Sequence, residues 1–391
     1  MSEHKKEATT LNPSVGADGG QSLKILTETI VADKLPNCND LQTISMTELF
    51  DTVYPPRLAI VENFLYEGTY LFVGAPKVGK SFFMAQLGYA VSKGIPLWGF
   101  PVHRGEVLYL ALEDNYGRLQ HRLSTMYGTE STDDFHMAIM ARKLKEGLPD
   151  QLEAFLESHK NTRLIIIDTL KKIRDKEQEQ NAYDADYEIM DALKGFAENR
   201  NICLLIVHHT RKQGSSDIAD LISGSNGLLG AADGAFVMQK ANRIEGKSTI
   251  DIVGRDQQDQ RLHLDFDTDT CIWNLTKTET KITTPPPDPL LEKVARLLTA
   301  EAPTWEGSSS ELLALLDEPE LQPNTLARKL NVSVDRLISE YGIDYDNRRT
   351  HSGKVITLSK RVDCVDVLRG TPTPQNIDTS TQMDGLEGVS E

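Results

Sequence analysis

Gly74, Ala75, Pro76, Lys77, Val78, Gly79, Lys80 and Ser81 follow the pattern G-x-x-x-x-G-K-[ST], and Phe82 carries the run into a helix-like stretch. This spacing belongs to a loop that wraps the phosphates of a nucleoside triphosphate. The two glycines let the backbone curl so that successive N–H groups point inward, and the positive end of the following helix adds to that field. Lys80 is placed to reach the β- and γ-phosphates, and the Ser81 hydroxyl to hold Mg²⁺. Hydrolysis needs an acid that keeps the metal and a base that activates water. The run 164–168, Leu-Ile-Ile-Ile-Asp168, is apolar to its last residue, so Asp168 emerges from a buried strand as a metal-holding acid. A second strand-like run, 106–112, leads into Glu113 and Asp114. Glu113 is the expected base and Asp114 the fallback. A third, 202–207, ends at His208 and His209; adjacent residues of a strand face opposite ways, so the pair makes a poor chelate. Polar residues that end a buried strand beside Asp168 suit reading a γ-phosphate, and the alternative is a metal-free pair that caps the strand.

These groups need a rigid frame. Strand-like runs at 69–74, 106–112, 164–168, 202–208, 235–239, 248–253 and 261–266 alternate with helical spacing at 82–91 and 183–199, where Ile189, Leu193 and Phe196 recur at i, i+4 and i+7. The pattern predicts an α/β core with a mainly parallel sheet, helices on both faces and an antiparallel far edge. Its bounds are expected at 45–275, with residues 44–60, including Pro55 and Pro56, as a lead-in packed on the core. Residues 1–44 and 363–391 are polar and read as disordered. A Thr/Pro-rich linker is expected at 276–289, followed by a small unit at 290–362. Helical spacing near 291–298, 310–316, 324–330 and 334–341, then the turn around Arg348, Arg349, Gly353 and Lys354 before strand 355–358, suggests a winged-helix-like domain.

The 391 residues carry a formal net charge of −16. Nucleic-acid binding would therefore depend on local basic patches working against the global field. The four cysteines stand singly at 38, 203, 271 and 364, which supports neither a disulfide framework nor a zinc site and fits a reducing, cytoplasmic setting. No run is long and apolar enough for a membrane span, and no membrane partner is expected. The first residues have no apolar stretch of a secretory signal.

Taken together, the P-loop, the Glu ending the next strand, the Asp on the following one, His-His-x-x-Lys on a later one, and the stretch from Gly224, Ser225 and Asn226 to Asp233 resemble a known set. They are similar to the RecA-like core of hexameric replicative helicases of the plasmid RepA type, related to DnaB and KaiC, over about 45–275. That resemblance implies ATP and Mg²⁺ as cofactors, a homo-oligomer in the form of a hexameric ring, and single-stranded DNA as partner. Lys80, Ser81, Glu113 and Asp168 keep the roles above, and His209 becomes the sensor joining the γ-phosphate to a loop from Arg211 and Lys212 to residue 222. This loop faces the channel in the family; by composition alone it reads equally as a solvated surface loop. The family completes its active site with an arginine from a neighbouring subunit. The RepA-type position for it, on the strand after Asp233, holds Phe236 and Met238 here, whereas Arg255 resembles the arginine of the RecA and KaiC branch. Lys240 and Arg243 are further candidates, and a plain surface role for Arg255 stays open.

The small C-terminal unit is similar to the winged-helix-like domains of phage and mobile-element replication proteins. If it binds a duplex, 325–330 would enter the groove with Arg328, Lys329, Arg348, Arg349 and Lys354 near phosphates; protein docking is the alternative. The first functional expectation is a DNA motor of a plasmid, phage or integrative element, with priming left to a separate primase or initiator protein. Two others are a KaiC-like ATP switch or loader that does not translocate, and a duplex-binding regulator. A metabolic kinase fits the P-loop, but the histidine strand speaks against it.

Overall fold

The computed structural model describes residues 41, 43–174, 182–209, 226–240, 246–255, 258–280, 286–350 and 353–361. Nearly all of 1–44, all of 363–391, and Arg211, Lys212, Gly224, Ser225 and Arg243 lie outside the described residues. The chain divides into two compact units, Pro55–Glu292 and Met1–Tyr54 with Lys293–Glu391.

Along the chain the elements are α1 (Met46–Asp51), β1 (Ala59–Val61), β2 (Leu65–Tyr66), β3 (Gly68–Gly74), α2 (Lys80–Lys93), β4 (Glu106–Ala111), α3 (Tyr116–Tyr127), β5 (Phe135–Ala138), α4 (Leu148–Ser158), β6 (Thr162–Asp168), α5 (Leu170–Ile173), α6 (Ala182–Glu198), β7 (Cys203–His209), α7 (Asn226–Ala231), β8 (Gly234–Lys240), β9 (Lys247–Gly254), β10 (Gln260–Asp267) and β11 (Ile272–Thr280). The larger unit is built on a nine-stranded sheet in the order β11-β10-β9-β8-β3-β7-β6-β4-β5. Strands β8, β3, β7, β6, β4 and β5 run parallel, and β9, β10 and β11 close the far edge antiparallel. Connections through helices force the parallel part, because parallel neighbours cannot be joined by a hairpin.

Alternation along each strand assigns its two faces. Phe72, Tyr109, Leu164, Ile166, Leu205 and Val207 join Phe83, Met84 and Leu87 of α2 in one buried cluster. Leu71, Val73, Leu108, Ile165, Ile167, Leu204 and Ile206 join Leu148 and Leu152 of α4 and Ile189, Met190 and Leu193 of α6 in the other. Strands buried on both faces read as continuous apolar runs, which is why β6 was legible without alternation.

The division falls within α8 (Pro289–Leu297), and in the smaller unit β12 (Thr304–Gly307), α9 (Ser309–Leu316), α10 (Pro323–Val332), α11 (Val334–Tyr341), β13 (Ile343–Thr350) and β14 (Gly353–Lys360) follow in turn, with the strands ordered β12-β14-β13. Two expectations are corrected. The lead-in does not all pack on the ATPase core: α1 groups with the smaller unit. Its six residues bury no side chain, and Met46 and Leu49 stay exposed. Instead its end meets cations, with Asp51 accepting from Arg328 at 2.7 Å and pairing with Lys354 at 3.0 Å, while Asn331 Nδ2 donates to the Phe50 carbonyl. The expected linker also begins too early, because the Thr/Lys/Glu run to Thr280 is the outer half of β11, paired in register with Gln260–His263 of β10. An edge strand exposed on both faces reads as polar coil in a sequence.

Candidate active site

The site forms at the carboxyl end of the parallel strands, where open α/β sheets bind ligands. Lys77 (φ 63°) and Gly79 (φ 105°) take the left-handed conformation needed to fold the loop over the start of α2. A Cβ on Gly79 would come within 2.6 Å of the Trp273 ring, so the indole backs the loop directly. Trp273 is held in turn by Gln86, whose amide exchanges two 2.9 Å hydrogen bonds with the Trp273 backbone, and by Trp98 Nε1, which donates to the Trp273 carbonyl.

Register and parity bring the predicted residues together. Gly74 of β3 pairs with His209 of β7, and Asp168 of β6 lies between Ala111 of β4 and Val207 of β7. Asp168 continues the series Leu164, Ile166, and His209 the series Cys203, Leu205, Val207, so both project on the face that carries α2. Ser81 Oγ donates to Asp168 Oδ2 at 2.9 Å, and the Tyr109 hydroxyl donates to the same oxygen at 3.0 Å. Lys80, only 5% exposed, directs its ammonium at three acceptors: the carbonyls of Gly74 (2.7 Å) and Ala75 (2.9 Å) and His209 Nδ1 (3.1 Å). An ammonium has three N–H groups, so all are engaged. With Nδ1 accepting, the neutral His209 ring carries its proton on Nε2, which lies 3.7 Å from Glu113 Oε2. Glu113 also accepts from Thr169 Oγ1 at 3.4 Å.

The electrostatics suit a ligand that brings negative charge. Burial pulls the Lys80 ammonium down from 10.5 to about 8, against the pull of Asp168 and Glu113. Burial also pushes the Asp168 carboxyl up, although Ser81, Tyr109 and Lys80 oppose it. The hydroxyl of Ser81 beside the Asp168 carboxylate is a hard oxygen pair of the kind Mg²⁺ selects, and Lys80 rests on backbone carbonyls that a phosphate can replace. The residues therefore fit Mg²⁺ and a nucleoside triphosphate.

The structure separates Glu113 from its neighbour. Asp114 is bound by Arg118 at 2.6 Å and Arg122 at 2.7 Å; burial would raise its carboxyl, but these two arginines and the Asn115 N–H hold it below the usual range. It is a poor base, and Glu113 is the one facing His209. Phe82 packs against Phe266 and lies under the Arg122 guanidinium at 5.1 Å, so it lines the loop's flank. Arg255 is elsewhere. It follows β9, whose end pairs with Gly234 at the start of β8, on the sheet edge opposite Gly74. There its guanidinium donates to the Gly230 carbonyl and its N–H to the Asp233 carbonyl. Six residues of strand, about 20 Å, separate it from its own P-loop. Lys240 ends β8 near the P-loop edge and is exposed. Tyr109, Thr169, Gln86 and Trp273 were missed by sequence reasoning. Only parity on β4 could have flagged Tyr109, and nothing local marks Trp273, which reaches Gly79 from 194 residues further along the chain.

Residues 38–215 match the family model described as AAA domain. No curated protein matches the chain. Among solved structures it aligns with an ATPase domain at 14% identity and a TM-score of 0.46, over 67% of this chain and 100% of that one. It also aligns with a DnaB-like replicative helicase described with its interactions with primase, at 14% identity and a TM-score of 0.45, over 54% of this chain and 57% of that one. Residues 38–215 thus resemble AAA domains, and they carry the P-loop at the carboxyl edge of a mainly parallel sheet.

Proposed function

We propose that this protein is a Mg²⁺-dependent ATPase of replicative-helicase type that works as a ring and moves along single-stranded DNA. The convergence of Lys80, Ser81, Glu113, Asp168 and His209 at one sheet edge carries the reading. Bound Mg²⁺ would neutralise charge on the β- and γ-phosphates, held by Ser81 Oγ and by Asp168. Lys80 leaves the Gly74 and Ala75 carbonyls for phosphate oxygens. Glu113 accepts the proton of the attacking water at a carboxylate oxygen, and His209, touching both Lys80 and Glu113, registers whether the γ-phosphate is present. From His209 the chain enters 210–225, so the sensor is continuous with the segment holding Arg211 and Lys212, the residues that would follow DNA phosphates. Since Arg255 is remote from its own P-loop, it can act as a finger only in a neighbouring copy.

A second reading, an ATP switch that does not translocate, is favoured by the net charge of −16 and by the state of the smaller unit. Arg328 and Lys354, two of the cations expected at a duplex surface, both pair with Asp51, and Arg348 lies 3.6 Å from Glu306. The steady-state ATPase rate with and without single-stranded DNA separates the readings. Stimulation that disappears in Lys80→Ala and in Arg211→Ala/Lys212→Ala supports the motor. A rate indifferent to nucleic acid leaves the switch.

A further inference from the structure

Glu106, His136 and His159 each bring one ligand-type atom within 4.8 Å of the other two, and none belongs to the P-loop site. Three rigid elements place them. Glu106 opens β4 and lies two residues before Leu108, which pairs with His136 of β5; a period of two puts both side chains on one face of the sheet. His159 caps the end of α4, which packs on that same face through Leu148, Leu152 and Phe155. Glu106 begins its strand and Glu113 follows its end, so about 20 Å separates the cluster from the hydrolytic groups.

The hydrogen bonding leaves lone pairs available. His159 Nδ1 lies 2.9 Å from the Phe155 carbonyl. A carbonyl only accepts, so Nδ1 carries the proton and Nε2 keeps its lone pair. This backbone contact fixes the ring in the way a carbonyl orients a metal-bound imidazole. His159 also stacks on Phe155, with ring centroids 4.0 Å apart. His136 Nε2 is buried and has no hydrogen-bond partner, an arrangement that costs free energy unless something binds there. The two imidazoles approach to 4.3 Å between centroids. Glu106 is steadied by the Asn161 N–H at 3.2 Å and lines a cleft of about 530 Å³.

We propose that Glu106, His136 and His159 form a site for a divalent transition-metal ion of the zinc class, which clips β4, β5 and the end of α4 together. Two imidazoles and a carboxylate are ligands that zinc accepts, with a fourth position for water. Bonds of about 2.1 Å in a tetrahedron put ligand atoms about 3.4 Å apart, so side-chain rotations of an ångström or so complete the geometry. Magnesium would not choose the imidazoles.

The test uses untagged, chelator-treated full-length protein with excess Mg²⁺ to fill the Ser81 and Asp168 site. Zn²⁺ is titrated by equilibrium dialysis and Co²⁺ by visible absorption. The expected result is one saturable site per chain, with the strong visible bands of four- or five-coordinate cobalt and a melting temperature that rises with Zn²⁺. His159→Gln and His136→Gln should each weaken binding at least about 100-fold and remove the Zn²⁺-dependent rise, since even outer partners of such sites cost 10–100-fold. Asp168→Asn should leave both intact. The proposal is overturned by the absence of saturable binding, or by binding and melting shifts that survive in both histidine variants; the latter would move the ion to another histidine set. The circular dichroism of the variants without metal confirms that the fold persists, and either glutamine variant alone is decisive if the other does not fold.

Discussion

The two edges of the parallel sheet handle charge in opposite ways. At the carboxyl edge Lys80, Asp168, Glu113 and His209 lean on one another and on backbone carbonyls that a ligand can displace. At the amino edge Asp233 is 3% exposed and fully employed: it accepts from the Thr69 N–H at 2.9 Å and Lys194 Nζ at 2.7 Å, with Arg57 at 3.6 Å. Burial would raise the Asp233 carboxyl, but Lys194 and the Thr69 N–H bring it down. Burial wins at Asp168, whose hydrogen-bond partners are the neutral hydroxyls of Ser81 and Tyr109. The same kind of buried acid thus belongs to the candidate site at one edge and is held as a structural pin at the other.

Breaking the carboxyl edge should cost activity and spare the fold. Lys80→Ala should reduce Mg²⁺-ATP hydrolysis by about 10²–10³-fold or more, with a melting temperature near that of the parent because a buried cation is removed. Glu113→Gln should slow single-turnover hydrolysis by about 10²–10⁴-fold while nucleotide affinity, read by a fluorescent analogue, changes only a few-fold. If Asp114→Asn has the larger effect, the assignment of the base is wrong.

Breaking the amino edge should do the reverse. Asp233→Asn leaves Lys194 without its carboxylate, and the expected loss is about 1–3 kcal/mol of unfolding free energy in urea, with hydrolysis per folded molecule unchanged. A selective loss of turnover would show that this edge takes part in the chemistry.

A pH series sharpens the contrast without mutation. Lys80 binds its proton less tightly in the folded protein, with a value of about 8 against the ordinary 10.5. Between those values the unfolded chain holds the extra proton, so this group makes stability rise with pH from about 8 to about 10.5. Nucleotide affinity should run the other way, falling above about pH 8 as the ammonium is lost. Urea midpoints and nucleotide titrations across pH 7–10.5, with Lys80→Met as reference, should show both slopes flattened in the variant. The smallest effect belongs to the smaller unit. Asp51→Ala frees Arg328 and Lys354 and should tighten duplex binding a few-fold at low salt, since exposed pairs contribute about 0–1 kcal/mol; no change in a mobility-shift titration would favour a protein-docking role.

Much of this was written locally in the chain. The P-loop declared itself because its glycines, lysine and serine must be contiguous, and β6 because a strand covered on both faces has to be apolar until its acid. Parity then aligned Asp168 and His209 with α2. Other features were settled only by distant partners. Asp114 and Glu113 are indistinguishable as neighbours until Arg118 and Arg122 claim one of them. Trp273 backs Gly79 across the antiparallel edge, α1 joined the smaller unit through Asp51, and Glu106, His136 and His159 met because a strand pairing and a helix end converge. Sequence determines what must be contiguous or periodic; which distant side chain satisfies a given charge is decided by tertiary structure, since only folding sets those distances.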